Sequence, residues 1–444
     1  MKIYSFCKPL FVQLIDNLNE EQIKYCVIGD YENLPESVGH DIDMWTNDLK
    51  KFRKCLEDAM QKTGFQPIID NETHQCFDIV CIKKEDNGIV VAKFDIMTST
   101  AYKSFLELYS SKEMEISIKP YKNFFVASEA NEALMHFLYP MFEWGLIKKD
   151  VYKDAINQYY KDPIFLKTFE SLWGHSTSEK VLLKISQRDW KGIELMMPVL
   201  RRKAIWRALQ KMKTWRKMII TGYDLIRRWL RPTGVSLAFC GLDGAGKTTI
   251  IDELNNIFVG LLKPKKVFYG YWRPMVLPEI KVLLGKKVTH DPAIKELQKG
   301  KTIIEGAKKT KGVIGSTLKM LYYCLDYMLA PLRYGQIESR GGVVLFDRHY
   351  IDMVVHPLRF EMNLPQWPFL LLYKIISKPD YTFFLYCSSE EILQRKQEFS
   401  KEEIEKQIVL YTKVGKKIKG FIPIHTNTSV EDEIYEILSH IIRK

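Results

Sequence analysis

Two groups of residues in this chain have the types and spacing to do chemistry. The first is Gly241-Leu242-Asp243-Gly244-Ala245-Gly246-Lys247-Thr248-Thr249, which satisfies G-x-x-x-x-G-K-[ST]. Glycines there let backbone N–H groups curl round phosphate oxygens, and a helix starting at the end of the loop adds its partial positive charge. Lys247 is placed to reach the terminal phosphates of a nucleoside triphosphate and Thr248 to ligate Mg²⁺. Asp347 and Arg348 follow an apolar run in GGVVLFDRHY, where a strand would deliver them to its C-terminal end, the ligand side of an open α/β sheet. An acid there serves a metal, and an arginine binds phosphate bidentately.

The second group lies near the N-terminus. Gly29-Asp30 is followed after ten residues by Asp41-Ile42-Asp43-Met44, and later by Phe94-Asp95-Ile96. Carboxylates at i and i+2 on a strand point the same way. With a third from a neighbouring strand they would make a site for two Mg²⁺, able to activate an attacking oxygen and stabilise a leaving pyrophosphate. Asp41, Asp43 and Asp95 are therefore candidate metal ligands, with Asp78 in CFDIV competing for the third place. Asp30 repels a triphosphate unless metal-bound.

Elements must position these groups. VSLAFC reads as a buried strand before the Gly-rich loop, TTIIDELNNIFVGLL as the helix after it, and GGVVLFDR and YTFFLYC as two further buried strands. Apolar strands alternating with helices predict a parallel sheet covered on both faces. In the N-terminal part, LFVQLIDNLNEEQIKYCVIGDY predicts a helix, a second short helical turn capped by Asn19, and the strand YCVIG. The strand IDMW, a helix ended by Gly64, and the strands CFDIVCI and GIVVAKFDIM around a polar turn follow. Residues 100–200 read as mixed helical material.

The chain has 444 residues, enough for about two or three domains. A hydrophobic share of 46% with 27% charged excludes wholesale disorder and collagen-like structure. Apolar runs fall short of the ~18–20 residues of a membrane span, and no signal peptide is read at the N-terminus. The eight cysteines form no Cys-x-x-Cys pair and read as small buried hydrophobes, so the expected location is a reducing cytoplasm.

The net charge of +12 is local. Residues 201–231 hold eleven basic residues against the single acid Asp224, a net +10 of the chain's net +12. A general basic-protein argument for nucleic-acid binding fails on this point. The segment reads as one long helix stopped at Arg231-Pro232, with Ala208, Met212, Trp215, Ile219, Tyr223, Ile226 and Leu230 in one stripe and Arg216 at its margin. Two readings stand: a helix lying on an anionic membrane surface, or a linker helix packing its stripe on a domain.

The phosphate loop, the DRHY motif, the helical YYCLDYMLAPLRYGQIESRGG and the run YTFFLYCSSEEILQRK together resemble the thymidylate kinase family of P-loop nucleoside-monophosphate kinases, over residues 234–444. The resemblance implies a five-stranded parallel P-loop fold, ATP as donor, Mg²⁺ as cofactor and a phosphorylated acceptor. It implies that Gly241, Gly244, Ala245, Gly246, Lys247, Thr248 and Thr249 bind ATP, that Thr248 and Asp347 serve the metal, and that Lys247, Asp243, Asp347 and Arg348 sit at the reaction. More weakly, residues 1–130 resemble the nucleotidyltransferase superfamily, whose pattern is h-G-[GS], then D-h-[DE]-h, then a later acid.

Departures bear on the substrate. The kinase family's R-E-P-G-G-T stretch is absent, and the nearest piece is Tyr271-Trp272-Arg273-Pro274. Arg273 is a candidate acceptor grip and Trp272 a ring to stack on, or the two are an ordinary surface Arg beside a core Trp. The insertion 295–312 is basic, and the lid region 394–407 is poor in arginine, leaving Arg395, Lys396 and Lys401 as lid cations. The expected α/β organisation is an N-terminal α+β nucleotidyltransferase-like domain (1–170), a basic helical linker (171–231) and a thymidylate kinase-like P-loop domain (232–444). The expected activity is ATP-dependent phosphoryl transfer to a small molecule or nucleotide. The alternatives are a main activity in the N-terminal domain and a non-catalytic ATP-binding module at a membrane. An oligomer is compatible with all of these.

Overall fold

A computed structural model describes residues 3–4, 8–36, 41–85, 88–262, 264–280, 312–395 and 400–441. The expected basic insertion, apart from Gly312, and Lys396 lie outside them. Two compact units emerge, Lys2–Arg227 and Arg228–Lys444.

The first unit opens with β1 (Ile3–Tyr4), α1 (Lys8–Glu20), β2 (Tyr25–Ile28), β3 (Ile42–Thr46), α2 (Leu49–Thr63), β4 (Gln66–Glu72), β5 (Cys76–Glu85) and β6 (Gly88–Met97). It continues with the hairpin β7 (Thr100–Tyr102) and β8 (Leu106–Tyr109), then α3 (Ser111–Ile116), β9 (Ile118–Tyr121) and β10 (Phe124–Ala127). Strands β4-β5-β6-β3-β2-β10-β9 form one sheet, with β1 also pairing β6. Period-2 alternation sends Tyr25, Val27, Met44, Phe77, Phe94 and Ile96 to one face, where α1 and α2 cover them. Asp48 caps α2 and Gly64 ends it in the left-handed region (φ +79°).

The other face carries Cys26, Ile28 and Trp45, which share a core with α4 (Glu129–Glu143), α5 (Asp150–Tyr159), α6 (Pro163–Trp173), α7 (His175–Ser186) and α8 (Trp190–Leu209). The segment expected as a linker from residue 171 thus places Trp173, Ile193, Met197 and Leu200 in this core.

Three local expectations are corrected. Asn19 caps no second helical turn: α1 runs through to Glu20, and the Asn19 amide oxygen accepts from the Tyr25 hydroxyl at 3.1 Å. The basic segment is not one helix: α8 stops at Leu209 and α9 (Met212–Leu230) starts after a break. The break is satisfied locally, because Trp215 Nε1 donates to the Leu209 carbonyl at 2.9 Å and the Lys211 N–H to Ala208 at 2.9 Å. Among the cysteines, Cys76 is exposed.

The second unit alternates strand and helix: β11 (Val235–Cys240), α10 (Lys247–Leu262), β12 (Val267–Tyr271), α11 (Val313–Met328), α12 (Pro331–Glu338), β13 (Val343–Asp347) and α13 (Tyr350–Val355). Then come α14 (Gln366–Leu372), β14 (Tyr381–Tyr386), α15 (Ser389–Arg395), α16 (Lys401–Gly415), β15 (Phe421–His425) and α17 (Val430–His440). The sheet order is β12-β13-β11-β14-β15, every pairing parallel. All residues of β11 and β13 are buried, as parallel strands covered on both faces require. Strand–helix alternation predicts the parallel, covered sheet, and its five strands are the number that the family resemblance implies; Val267–Tyr271 and Phe421–His425 are strands that the sequence reading did not name.

Candidate functional site

β11 and β13 are neighbours in register, so their C-terminal ends deliver the Gly-rich loop and Asp347-Arg348 to the same edge of the sheet. Gly241 starts the loop at φ +139°, and a Cβ there would meet the Leu385 carbonyl oxygen at 2.2 Å. Leu385 is on β14, beside β11, and only glycine fits against it there. Gly244 and Gly246 also have positive φ, which turns the loop back on itself before α10 begins at Lys247. Ala245 is fully buried, and its carbonyl accepts from Thr426 Oγ1 at 3.2 Å. Thr248 and Thr249 are exposed on the first turn of α10, whose leading N–H groups have no intrahelical acceptors. This is a cradle for an anion.

Charged groups converge below it. Lys247 is buried, its Nζ donating to the Leu242 carbonyl at 2.5 Å and lying 3.7 Å from Asp243 Oδ1. Burial first, and then the Arg348 charge, lower its pKa to about 8. Arg348 is in the left-handed region (φ +70°), a conformation a non-glycine residue holds only where its surroundings enforce it. Its N–H donates to the Phe239 carbonyl at 2.9 Å, and Nη1 donates to Asp352 Oδ1 at 3.0 Å while Nη2 pairs with Asp243. Asp352 also accepts from the Tyr411 hydroxyl at 2.8 Å, so it is a buried anchor that aims the guanidinium.

Asp243 additionally accepts from Arg359 Nη2 at 2.8 Å. Burial raises the Asp243 pKa, but Arg348, Lys247 and Arg359 outweigh it and hold the carboxyl well below the usual carboxylate range. Asp347 differs: burial raises its pKa, offset in part by Arg348 and Lys247. The Tyr269 hydroxyl approaches it at 3.5 Å. The structure thus brings Asp243, Lys247, Asp347 and Arg348 together. Sequence reading missed Arg359, Asp352 and Tyr411, because no motif spacing ties them to the loop.

Arg273 and Trp272 are placed differently from an open grip. Arg273 is buried, Nη1 lying 3.6 Å from the fully buried Asp326 and Nη2 donating to the Leu277 carbonyl at 3.1 Å. Trp272 packs edge-on to Tyr323 (5.0 Å between centroids) and beside Phe360 (5.1 Å). Its carbonyl accepts from the Tyr327 hydroxyl and its N–H donates to the Asp347 carbonyl at 2.8 Å. In this arrangement the pair shapes the wall beside Asp347. Of the lid cations, Arg395 Nη1 donates to the Gly244 carbonyl at 3.2 Å, so it lies over the loop, while Lys401 pairs with Glu390 at 2.5 Å.

In the first unit, β3 and β6 run parallel with Asp43 opposite Asp95. Oxygens of Asp41, Asp43 and Asp95 lie within 4.8 Å of one another, close enough to share a metal ion. Asp78 is the cross-strand neighbour of Asp95 but accepts from Asn71 Nδ2 at 2.7 Å. Gly29 (φ +82°) turns the chain after β2, and Asp30 is exposed. The residue that sequence reading missed is Lys93, two before Asp95 on the same face of β6. Its buried Nζ reaches Asp41 at 2.9 Å and Asp95 at 3.1 Å. Burial raises the Asp95 pKa and Lys93 counters it, while Asp78 and Asp41 add to the rise.

No protein-family model matches the chain, and no curated protein matches its sequence. Solved structures do: a thymidylate kinase from Ehrlichia chaffeensis, 14% identical, covering 46% of this chain and 97% of its own, with a TM-score of 0.30. Another is the thymidylate kinase from Candida albicans, 14% identical, covering 46% of this chain and 91% of its own, with a TM-score of 0.32. At this level of likeness the chemistry of the site rests on its own residues.

Proposed function

We propose that the unit 228–444 is an ATP-dependent phosphotransferase of thymidylate kinase-like type acting on a small acceptor, nucleotide or phosphorylated. The observation that carries the reading is the meeting of buried Lys247 and Arg348 with Asp243 and Asp347 beneath a loop whose glycines open it to phosphate. Loop N–H groups and the start of α10 bind the donor's phosphates, and Lys247 carries positive charge to them. Arg348, fixed by Asp352, offers the hydrogen-bonding edge that stabilises charge on a transferring phosphoryl group. Asp243, held ionised by three cations, orients those cations. The donor set of exposed Thr248 and buried Asp347 fits Mg²⁺, a hard cation that takes oxygen ligands and screens phosphate charge. Transfer here is mainly positioning and electrostatics. Mass-spectrometric screening of nucleotides and acceptors on wild type and Lys247→Ala tests it: phosphorylated product from the wild type alone supports the reading. Equal product from both proteins refutes it, and tight ATP binding without product points to a non-catalytic module.

A second reading belongs to the first unit. The Asp41, Asp43 and Asp95 cluster supports a nucleotidyltransferase-like site, which would act in the same pathway or supply the main activity. Loss of α-labelled nucleotide incorporation in Asp43→Ala supports it; unchanged incorporation dismisses it.

A further inference from the structure

An amphipathic helix on a globular unit buries its apolar stripe. Helix α9 does the opposite. Positions 214, 217, 221 and 224, which share one line along the helix, turn toward the first unit. Thr214 and Asp224 are each only 6% exposed. Lys217 pairs with Glu107, and Thr221 Oγ1 donates to the Ser104 carbonyl at 3.3 Å. Asp224 Oδ2 accepts from the His74 N–H at 3.1 Å and lies 2.7 Å from its Nδ1, and Arg227 Nη2 donates to the Glu72 carbonyl at 3.3 Å. The polar edge is the seated edge. The apolar line opposite it is left outside: Met212 is 85% exposed, Trp215 50%, Ile219 74%, Tyr223 66% and Ile226 62%.

We propose that this face docks the protein on an anionic lipid bilayer, with α9 lying in the headgroup plane. The charge around the stripe selects the occupant. Arg216 is exposed at its margin, within a segment of eleven basic residues and one acid. A second copy of the chain would bring the same positive charge against itself, which opposes self-pairing. An anionic surface attracts such an outward cation. Trp215 and Tyr223 are amphipathic rings suited to the interface, and Arg216 has the length to snorkel. Among the described residues no helix is long and apolar enough to cross a membrane, which fits a helix lying in the interface. This inference stands apart from the phosphotransferase reading.

The test is flotation of the full chain with vesicles of phosphatidylcholine alone and of phosphatidylcholine mixed with phosphatidylglycerol. Binding to the mixed vesicles, weakened by salt, is expected. Ile219→Glu should lower the partition coefficient at least about tenfold and Arg216→Glu roughly tenfold, with Tm unchanged for both. Failure to float, equal flotation with both vesicle types, or flotation unaffected by both substitutions overturns the proposal. A Tm lowered by Ile219→Glu would show the face packed within the protein, and a dimer dissociated by Ile219→Glu would show a second copy on it; either result also overturns it.

Discussion

Lys247 makes a prediction that can be worked through in numbers. Its amine is buried under the loop with Arg348 nearby, and its pKa falls from 10.5 to about 8. A bound triphosphate adds negative charge to that of Asp243, Asp347 and Asp352, offsets burial and Arg348, and returns the amine to the protonated form. If the ordinary value is fully restored, the coupling is about 3 kcal/mol, at ~1.4 kcal/mol per pH unit. The sign follows from the proton balance: binding raises the pKa, so the complex holds more protons than the free protein between the two values. Affinity is therefore level below about pH 8, falls up to roughly tenfold per pH unit above it, and levels again near pH 10.5. Proton uptake on binding is ~0.1 at pH 7 and ~0.9 at pH 9. Calorimetric titration with ATP in two buffers of different ionisation enthalpy measures it, and Lys247→Met subtracts protons released by the nucleotide itself. Uptake equal at the two pH values, or unchanged in Lys247→Met, would refute the placement of this amine under the phosphates. The same depression predicts that the free protein gains stability as pH rises from about 8, because the unfolded chain then binds the extra proton.

Other substitutions probe separate parts. Gly241→Ala forces a Cβ to within 2.2 Å of the Leu385 carbonyl at φ +139°, so it should destabilise the second unit by about 2–4 kcal/mol in urea unfolding; a loss under about 1 kcal/mol refutes the close approach. Arg359→Ala removes one of three cations on Asp243 and should lower the transfer rate about tenfold with stability within ~1 kcal/mol of wild type, since the arginine is partly exposed. Lys93→Met leaves the Asp41, Asp43 and Asp95 carboxylates without their cation. It should lower Tm without metal, restore it with Mg²⁺ or Mn²⁺, and tighten Mn²⁺ binding by roughly tenfold or more, measured by electron paramagnetic resonance; unchanged binding dismisses competition between the lysine and a metal.

What the sequence discloses and what it withholds follow from how each feature is encoded. The phosphate loop is legible because its geometry is local: nine consecutive residues carry the positive-φ glycines, the buried lysine and the helix start. Asp43 and Asp95 are legible because period-2 alternation puts both on one face, and the register of β3 with β6 needs only to bring them level. Arg359 is different. It reaches Asp243 across the fold, and only the packing of the intervening helices says so. Arg273 shows the same limit from the other side, since its type suggests a grip while Asp326, from a helix far along the chain, turns it inward.

Helix α9 adds a subtler lesson. Periodicity identifies its apolar stripe and its basic flank, but a stripe has no direction until something is packed against the helix. The deciding residues are the polar ones, Thr214, Thr221 and Asp224, which look like the solvent side in sequence and are the seated side in the fold. A buried acid hydrogen-bonded to His74 fixes the rotation of the helix, and that rotation leaves the tryptophan, tyrosine and isoleucines outside. Exposed Arg216 is therefore set beside an uncovered apolar face in the most basic segment of the chain, and this juxtaposition, which composition alone could not supply, makes the charge an argument about where the protein docks.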